Sequence, residues 1–275
     1  MSFIKDKDPL LAEKKIHFEN KYKASALDIL NFFAANNIKL ALETSVEKKK
    51  THTTTNTKST KSEAITPNAV RHIQQQAQNS TNIEQLSTLI EEIKAFEGCE
   101  LKKNSINTVI SDGNPNSNIM LIGEAPGATE DTLGIPFCGE SGKLLDNMIS
   151  SIGLNRTTNV YISNTVFWRP PDNRKPTDEE IAACKPFVER HIALIKPKLI
   201  ILVGSTAGTS FLGKDFQISK MRRNFFGYTN QYLCEPIQVT AIFHPAYLLR
   251  QSSQKKSTWY DLLTIQHFIQ EHKLL

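Results

Sequence analysis

From residue 118 onward the chain alternates short apolar runs with longer segments of mixed character. Four runs, "NIMLIG" (118–123), "NVYISN" (159–164), "KLIILVG" (198–204) and "IQVTAIF" (237–243), read as β-strands. The third is apolar on both faces, as expected of a strand covered above and below. Between them, "GESGKLLDNMISSIGL", "TDEEIAACKPFVERHIALIK" and "STAGTSFLG" read as helical connections. The second opens with Thr177 and Glu180 at capping-box spacing. Strand, helix, strand, helix implies an α/β fold, a three-layer α/β/α sandwich around a central four-stranded parallel sheet. Upstream, "NIEQLSTLIEEIKAFEGC" reads as another helix, with Asn82 at its cap position.

The amino-terminal part is patterned differently. Residues 18–44 show Ala, Leu, Ile and Phe at helical spacing, whereas "EKKKTHTTTNTKSTKSEAITPN" has almost no large apolar residue. Such a tract cannot bury enough surface to offset the entropy of ordering it. The expected organisation is a helical extension over 1–45, a Lys/Thr-rich flexible linker over 46–80, and an α/β domain over 81–275.

Parallel sheets bind ligands beyond the carboxyl ends of their strands. The polar motifs of this chain fall there. "GEAPGATED" follows the first run, Asn164 ends the second, Gly204-Ser205 follows the third, and His244-Pro245 follows the fourth. An acid, an amide, a small-residue turn and an imidazole therefore converge on one edge. A phosphate cradle fits this edge poorly. "GESGKL" resembles the end of a phosphate-binding loop, but Phe137 occupies the upstream glycine position and Leu144 replaces the magnesium-holding Ser/Thr. Nor is "GEAPG" a dinucleotide fingerprint, and its glutamate would repel a pyrophosphate.

A chain of 275 residues with a net charge of +5 is mildly basic, which is compatible with a nucleic-acid partner. The cysteines at 99, 138, 184 and 234 form no C-x-x-C pair, so no disulfide framework is implied and a reducing compartment is expected. The start, "MSFIKDKDPLLAEKK", lacks the apolar core of a signal peptide, and the apolar runs are too short to span a bilayer. The expectation is a cytoplasmic protein, nucleoid-associated in a bacterium, with no membrane partner. Without an extended heptad, a monomer is expected.

Three segments, "GEAPGATEDTLGIPFCGESGKLLD", "NTVFWRPPDNRKPTDEEIAAC" and "HPAYLLR", resemble, in order, the signatures of the uracil-DNA glycosylase superfamily and within it the family 4 enzymes. The resemblance covers roughly residues 96–270. It implies removal of uracil from DNA to start base-excision repair, a hydrolysis with an oxocarbenium-like sugar and an anionic leaving base. The base would be flipped out of the duplex into a snug pocket. By the family's pattern Phe137 would stack on the uracil ring, and Asn164 would read its O4 and N3–H. His244 would stabilise the departing anion at O2. Among the acids, Glu130 is expected to serve the sugar and the water. Glu124, with Ala125, would shape the pocket through its backbone, Gly204 would line it, and Asp131 would cap or brace the loop. Arg169, Arg250 and Lys255, with "KMRR" at 220–223, would reach phosphates, while Leu248 and Leu249 would wedge into the duplex. No lysine stands in the motifs as a Schiff-base nucleophile, so a monofunctional glycosylase is expected.

One part of the family pattern is broken. Family 4 enzymes hold a [4Fe-4S] cluster on four cysteines. Here Cys99 and Cys184 match two of them, but Phe96 and Trp168 stand at the other two. Such clusters ordinarily take four thiolates, so the expectation is a hydrophobic plug and no cofactor. This leaves two rival readings beside the first. One is a DNA-binding protein of the same fold with weak or no glycosylase activity, its amino-terminal extension recruiting a repair protein. The other is a glycosylase for another deaminated base.

Overall fold

The computed structural model describes residues 82–275. The expected amino-terminal helices and the Lys/Thr linker lie outside the described residues, as does the extension's expected repair partner.

Residues 82–95 form a helix (α1), so Asn82 is helical rather than a cap outside it. Three-residue β1 (Ser111–Gly113) precedes β2 (Ile119–Gly123), and short α2 (Ala128–Leu133) and α3 (Glu140–Ser150) lead to β3 (Tyr161–Asn164). Then come α4 (Asp178–Ile195), β4 (Leu199–Val203), α5 (Ser205–Leu212), α6 (Ile218–Met221), β5 (Phe226–Tyr228) and β6 (Ile237–Ile242). Two helices, α7 (Pro245–Arg250) and α8 (Lys255–Glu271), close the chain.

The sheet order is β1-β3-β2-β4-β6-β5. Its inner four strands are the four apolar runs, all mutually parallel. The sheet is wider than the sequence pattern implies, because β1 and β5 add antiparallel edges. Each edge is three residues long, too short to display a period of two.

Strands β2 and β4 are buried along their whole length. Alternate residues face the two helical layers. Met120, Ile122, Ile200, Leu202, Val239 and Ala241 share one core with Leu89 and Ile93 of α1 and Val188 and Ile192 of α4. The opposite layer contains α3, α7 and α8, with α3 against α7 and α8, and α8 against β6. The capping box of α4 forms as the spacing requires: Thr177 Oγ1 accepts the Glu180 N–H at 3.3 Å and Glu180 Oε2 accepts the Thr177 N–H at 2.7 Å. Arg174 adds bonds of 2.8 and 2.6 Å to the same carboxylate, which fixes the loop in front of the helix.

Candidate active site

All four strand exits open into one cleft of about 770 Å³. Glu124 and Ala125 from the β2 exit, Asn164 from β3, Gly204 from β4 and His244 from β6 line it together, joined by Glu130 and Phe137. The convergence follows from the parallel register, in which Gly123 pairs with Asn164 and Val203 with Ile242.

The floor depends on a missing side chain. A Cβ at Gly123 would overlap Asn164 Oδ1 and the rim of the Phe137 ring, whose Cε2 would lie at 2.6 Å. The Phe137 ring in turn lies 5.8 Å from the imidazole of His244, tilted by 33°. A second glycine, Gly204, backs the imidazole. Its φ of +100° disfavours any Cβ, and one there would sit 3.0 Å from His244 Cβ.

Asn164 is 1% exposed, and its Oδ1 has no hydrogen-bond partner. An amide left in that state costs about 1–3 kcal/mol, a cost that a ligand supplying the missing partner removes. It is therefore suited to a planar group that offers both an acceptor and a donor.

His244 caps α7, and its Nδ1 accepts the Ala246 N–H at 3.1 Å. Burial and then the charge of Arg250 lower its pKa to about 4, against an opposing pull from Glu130. The ring is neutral at pH 7 with Nδ1 engaged as acceptor, so its proton sits on Nε2. The ring thus offers one N–H donor at Nε2.

The two glutamates are engaged differently. Glu130 Oε1 accepts the N–H groups of Cys138 and Gly139 at 3.0 and 2.9 Å, and its Oε2 accepts that of Gly127 at 3.2 Å. Its carboxylate is thus engaged in holding the loop. Glu124, expected to act through its backbone, does accept the Thr165 hydroxyl on its carbonyl at 2.5 Å. Glu124 lines the cleft, and its carboxylate makes no hydrogen bond to any described residue. Asp131 braces the loop as expected, with Oδ1 accepting the N–H groups of Ile106 and Asn107.

Among the expected DNA contacts, Leu248 is displaced from its role. It is 1% exposed and belongs to the core beneath α7, so it cannot enter a duplex, whereas Leu249 is 49% exposed. Helical geometry turns adjacent residues by about 100°, and here that turn puts Leu248 against the core and Leu249 in solvent. Arg250 is exposed and lines the cleft mouth. Arg169 donates to Asn173 Oδ1 at 2.8 Å, and Lys255 begins α8 half-buried. Arg222 of the "KMRR" cluster is withdrawn from any phosphate. It is buried, paired with Asp261 at 2.6 Å, and its guanidinium lies 3.6 Å over the Phe243 ring. Phe243 and Gly123 were not singled out by sequence reasoning. Only Gly123 carried a signal, a glycine ending an apolar run.

The place of the family's cluster is filled by carbon. Trp168 is wholly buried, stacks on Phe96 at 6.4 Å, and donates its indole N–H to Thr108 at 3.1 Å. Phe187 closes against Phe96 edge-on at 4.8 Å. Cys99 and Cys184 remain, both buried. The neighbouring Cys99 thiol raises the Cys184 pKa, with burial adding to it, so Cys184 stays a protonated thiol. Cys138 adjoins the cleft and Cys234 is exposed, so neither completes a ligand set with them. No third metal-ligating side chain joins the pair among the described residues. Two thiols and two packed rings do not fit a four-thiolate cluster.

A family model described as the uracil DNA glycosylase superfamily matches residues 110–266. The type-4 uracil-DNA glycosylase of Thermotoga maritima is 39% identical over 176 residues, which are 64% of this chain and 88% of that protein. The type-4 enzyme of Saccharolobus solfataricus is 41% identical over 170 residues, 60% of this chain and 77% of that one. That of Archaeoglobus fulgidus is 38% identical over 172 residues, 61% and 84% of the respective chains.

Proposed function

Because the chain belongs to the uracil-DNA glycosylase superfamily, we propose that it hydrolyses the N-glycosidic bond between uracil and deoxyribose in DNA. The observation that carries this reading is the unpartnered Oδ1 of Asn164, which lines one cleft with the Phe137 ring and a neutral imidazole.

A flipped uracil stacks on Phe137, and the Asn164 amide satisfies its O4 and N3–H. The Nε2–H of His244 donates to O2, where negative charge gathers as the C1′–N1 bond breaks. The bonding pair leaves with the base, and the anion takes a proton from solvent after departure. Water adds to C1′ from the other side, and its proton passes to the free carboxylate of Glu124 and on to solvent. Glu130 contributes by holding the loop and through its negative charge near the cationic sugar. No amine takes part in these steps, so the reaction stops at the abasic product, and the enzyme is monofunctional.

The enzyme works without an iron–sulfur cluster, since Phe96 and Trp168 occupy two ligand positions and pack against each other. Leu249, Arg250, Arg169 and Lys255 meet the DNA, and Leu248 supports them from within. The protein acts as a cytoplasmic monomer. No helix among the described residues is long and apolar enough to cross a membrane.

Uracil-containing single- and double-stranded oligonucleotides, incubated with the protein and then treated with alkali, test the reading. Scission by the wild type and not by Asn164→Asp supports it. Binding without scission favours a silent DNA-binding protein, and scission only at another lesion moves the specificity elsewhere.

A further inference from the structure

The stacking face is carried on an unfavourable backbone. Phe137 has φ +51°, the left-handed region that a residue with a Cβ rarely adopts. Something must hold it there, and the surroundings of residues 136–139 identify what does. The carbonyls of Pro136 and Phe137 both turn to Arg156, which donates to them from Nη1 at 2.9 Å and Nη2 at 2.8 Å. The next two N–H groups, of Cys138 and Gly139, turn the other way, to Glu130. The turn is held between a cation that takes its carbonyls and an anion that takes its amides.

Arg156 is itself anchored. Its Nε and Nη2 reach Asp146 Oδ1 of α3 at 3.1 and 2.9 Å, and its Nη1 reaches Asp112 of β1 at 2.8 Å. Its side chain is 16% exposed, and it does not line the cleft. Gly142 completes the seat, because a Cβ there would overlap the Phe137 carbonyl. Only a planar fork of several donors can serve two carbonyls and two carboxylates at once.

We propose that Arg156 is a positioning residue for base binding, locking the Pro136–Gly139 turn so that the Phe137 ring lies across Gly123 beside Asn164 and His244. The proposal rests on the reading of the cleft as a uracil site. Arg156 touches no substrate and acts through Phe137.

Inhibition by free uracil and binding to abasic single-stranded DNA separate the two functions of the cleft in the full chain. In Arg156→Ala the uracil inhibition constant is expected to rise about tenfold or more, as displacement of a binding face by an ångström would require. Affinity for abasic DNA should stay within about twofold, since phosphate contacts are unaffected. Millimolar guanidinium should partly restore uracil binding to Arg156→Ala, and Arg156→Lys should remain impaired. An unchanged uracil constant, or equal losses for uracil and abasic DNA, overturns the assignment. Should Arg156→Ala fail to fold, Arg156→Lys decides by the same two constants. A wild type that neither releases uracil from DNA nor binds it would refute the uracil-site reading itself, whatever Arg156 does.

Discussion

Gly123 of β2 and Asn164 of β3 are partners in the parallel ladder, and the absent side chain of the first makes room for the amide of the second. Gly123→Ala should therefore displace Asn164 or Phe137, since a methyl group would overlap both. Overpacking of this kind costs about 1–3 kcal/mol of stability. Loss of kcat/KM should be larger in proportion, on the order of 100-fold, because a small shift of the reading amide misplaces the base. Thermal unfolding and single-turnover assays on the same preparation measure the two effects.

Leu248 and Leu249 separate stability from DNA engagement. Leu248→Ala should lower stability by about 2–5 kcal/mol as a cavity opens under α7. Leu249→Ala, on the exposed side, should leave unfolding within about 0.5 kcal/mol of wild type. It should nevertheless slow uracil release from duplex more than from single strands, because only the duplex requires a wedge. Chemical denaturation and paired substrate assays distinguish them.

Buried imidazoles make the fold sensitive to acid. His191 is wholly buried, with Nε2 2.8 Å from the Tyr161 hydroxyl and Nδ1 unpartnered, and burial lowers its pKa from 6.5 to about 4. Between pH 6.5 and 4 the unfolded chain takes up a proton that the folded one refuses. The stability associated with this group is present above pH 6.5 and is lost as pH falls toward 4. The slope approaches about 1.4 kcal/mol per pH unit for each such group. His244, lowered to about 4 as well, adds to the same slope. Denaturant midpoints across this range should be flatter for His191→Gln than for wild type.

Iron content tests the aromatic plug. Protein purified without oxygen should contain no stoichiometric iron and no visible charge-transfer band. Trp168→Ala should cost about 3–5 kcal/mol, as for any large ring removed from a packed core. Iron at cluster stoichiometry in the wild type would overturn this account.

The sequence made the inner sheet legible because each strand is an uninterrupted apolar run with its chemistry at the exit. Asn164, Gly204 and His244 fall where the parallel-sheet rule puts them. The edges β1 and β5 escaped because three residues carry no period. Which glutamate is free was equally hidden. Glu124 and Glu130 stand in one acidic loop, and only the turn at Cys138 and Gly139 decides which carboxylate the backbone claims. Leu248 and Leu249 are adjacent and chemically alike, so their opposite fates depend on the orientation of α7. Arg156 left no trace in the motifs, because its contacts reach back 10 to 44 positions along the chain.

Phe96, Trp168 and Phe187 hold this junction by ring packing. On the reading proposed above, rings that interlock in this way give the corner a rigidity that neither oxidant nor chelator could strip out, because it is made of carbon–carbon contact.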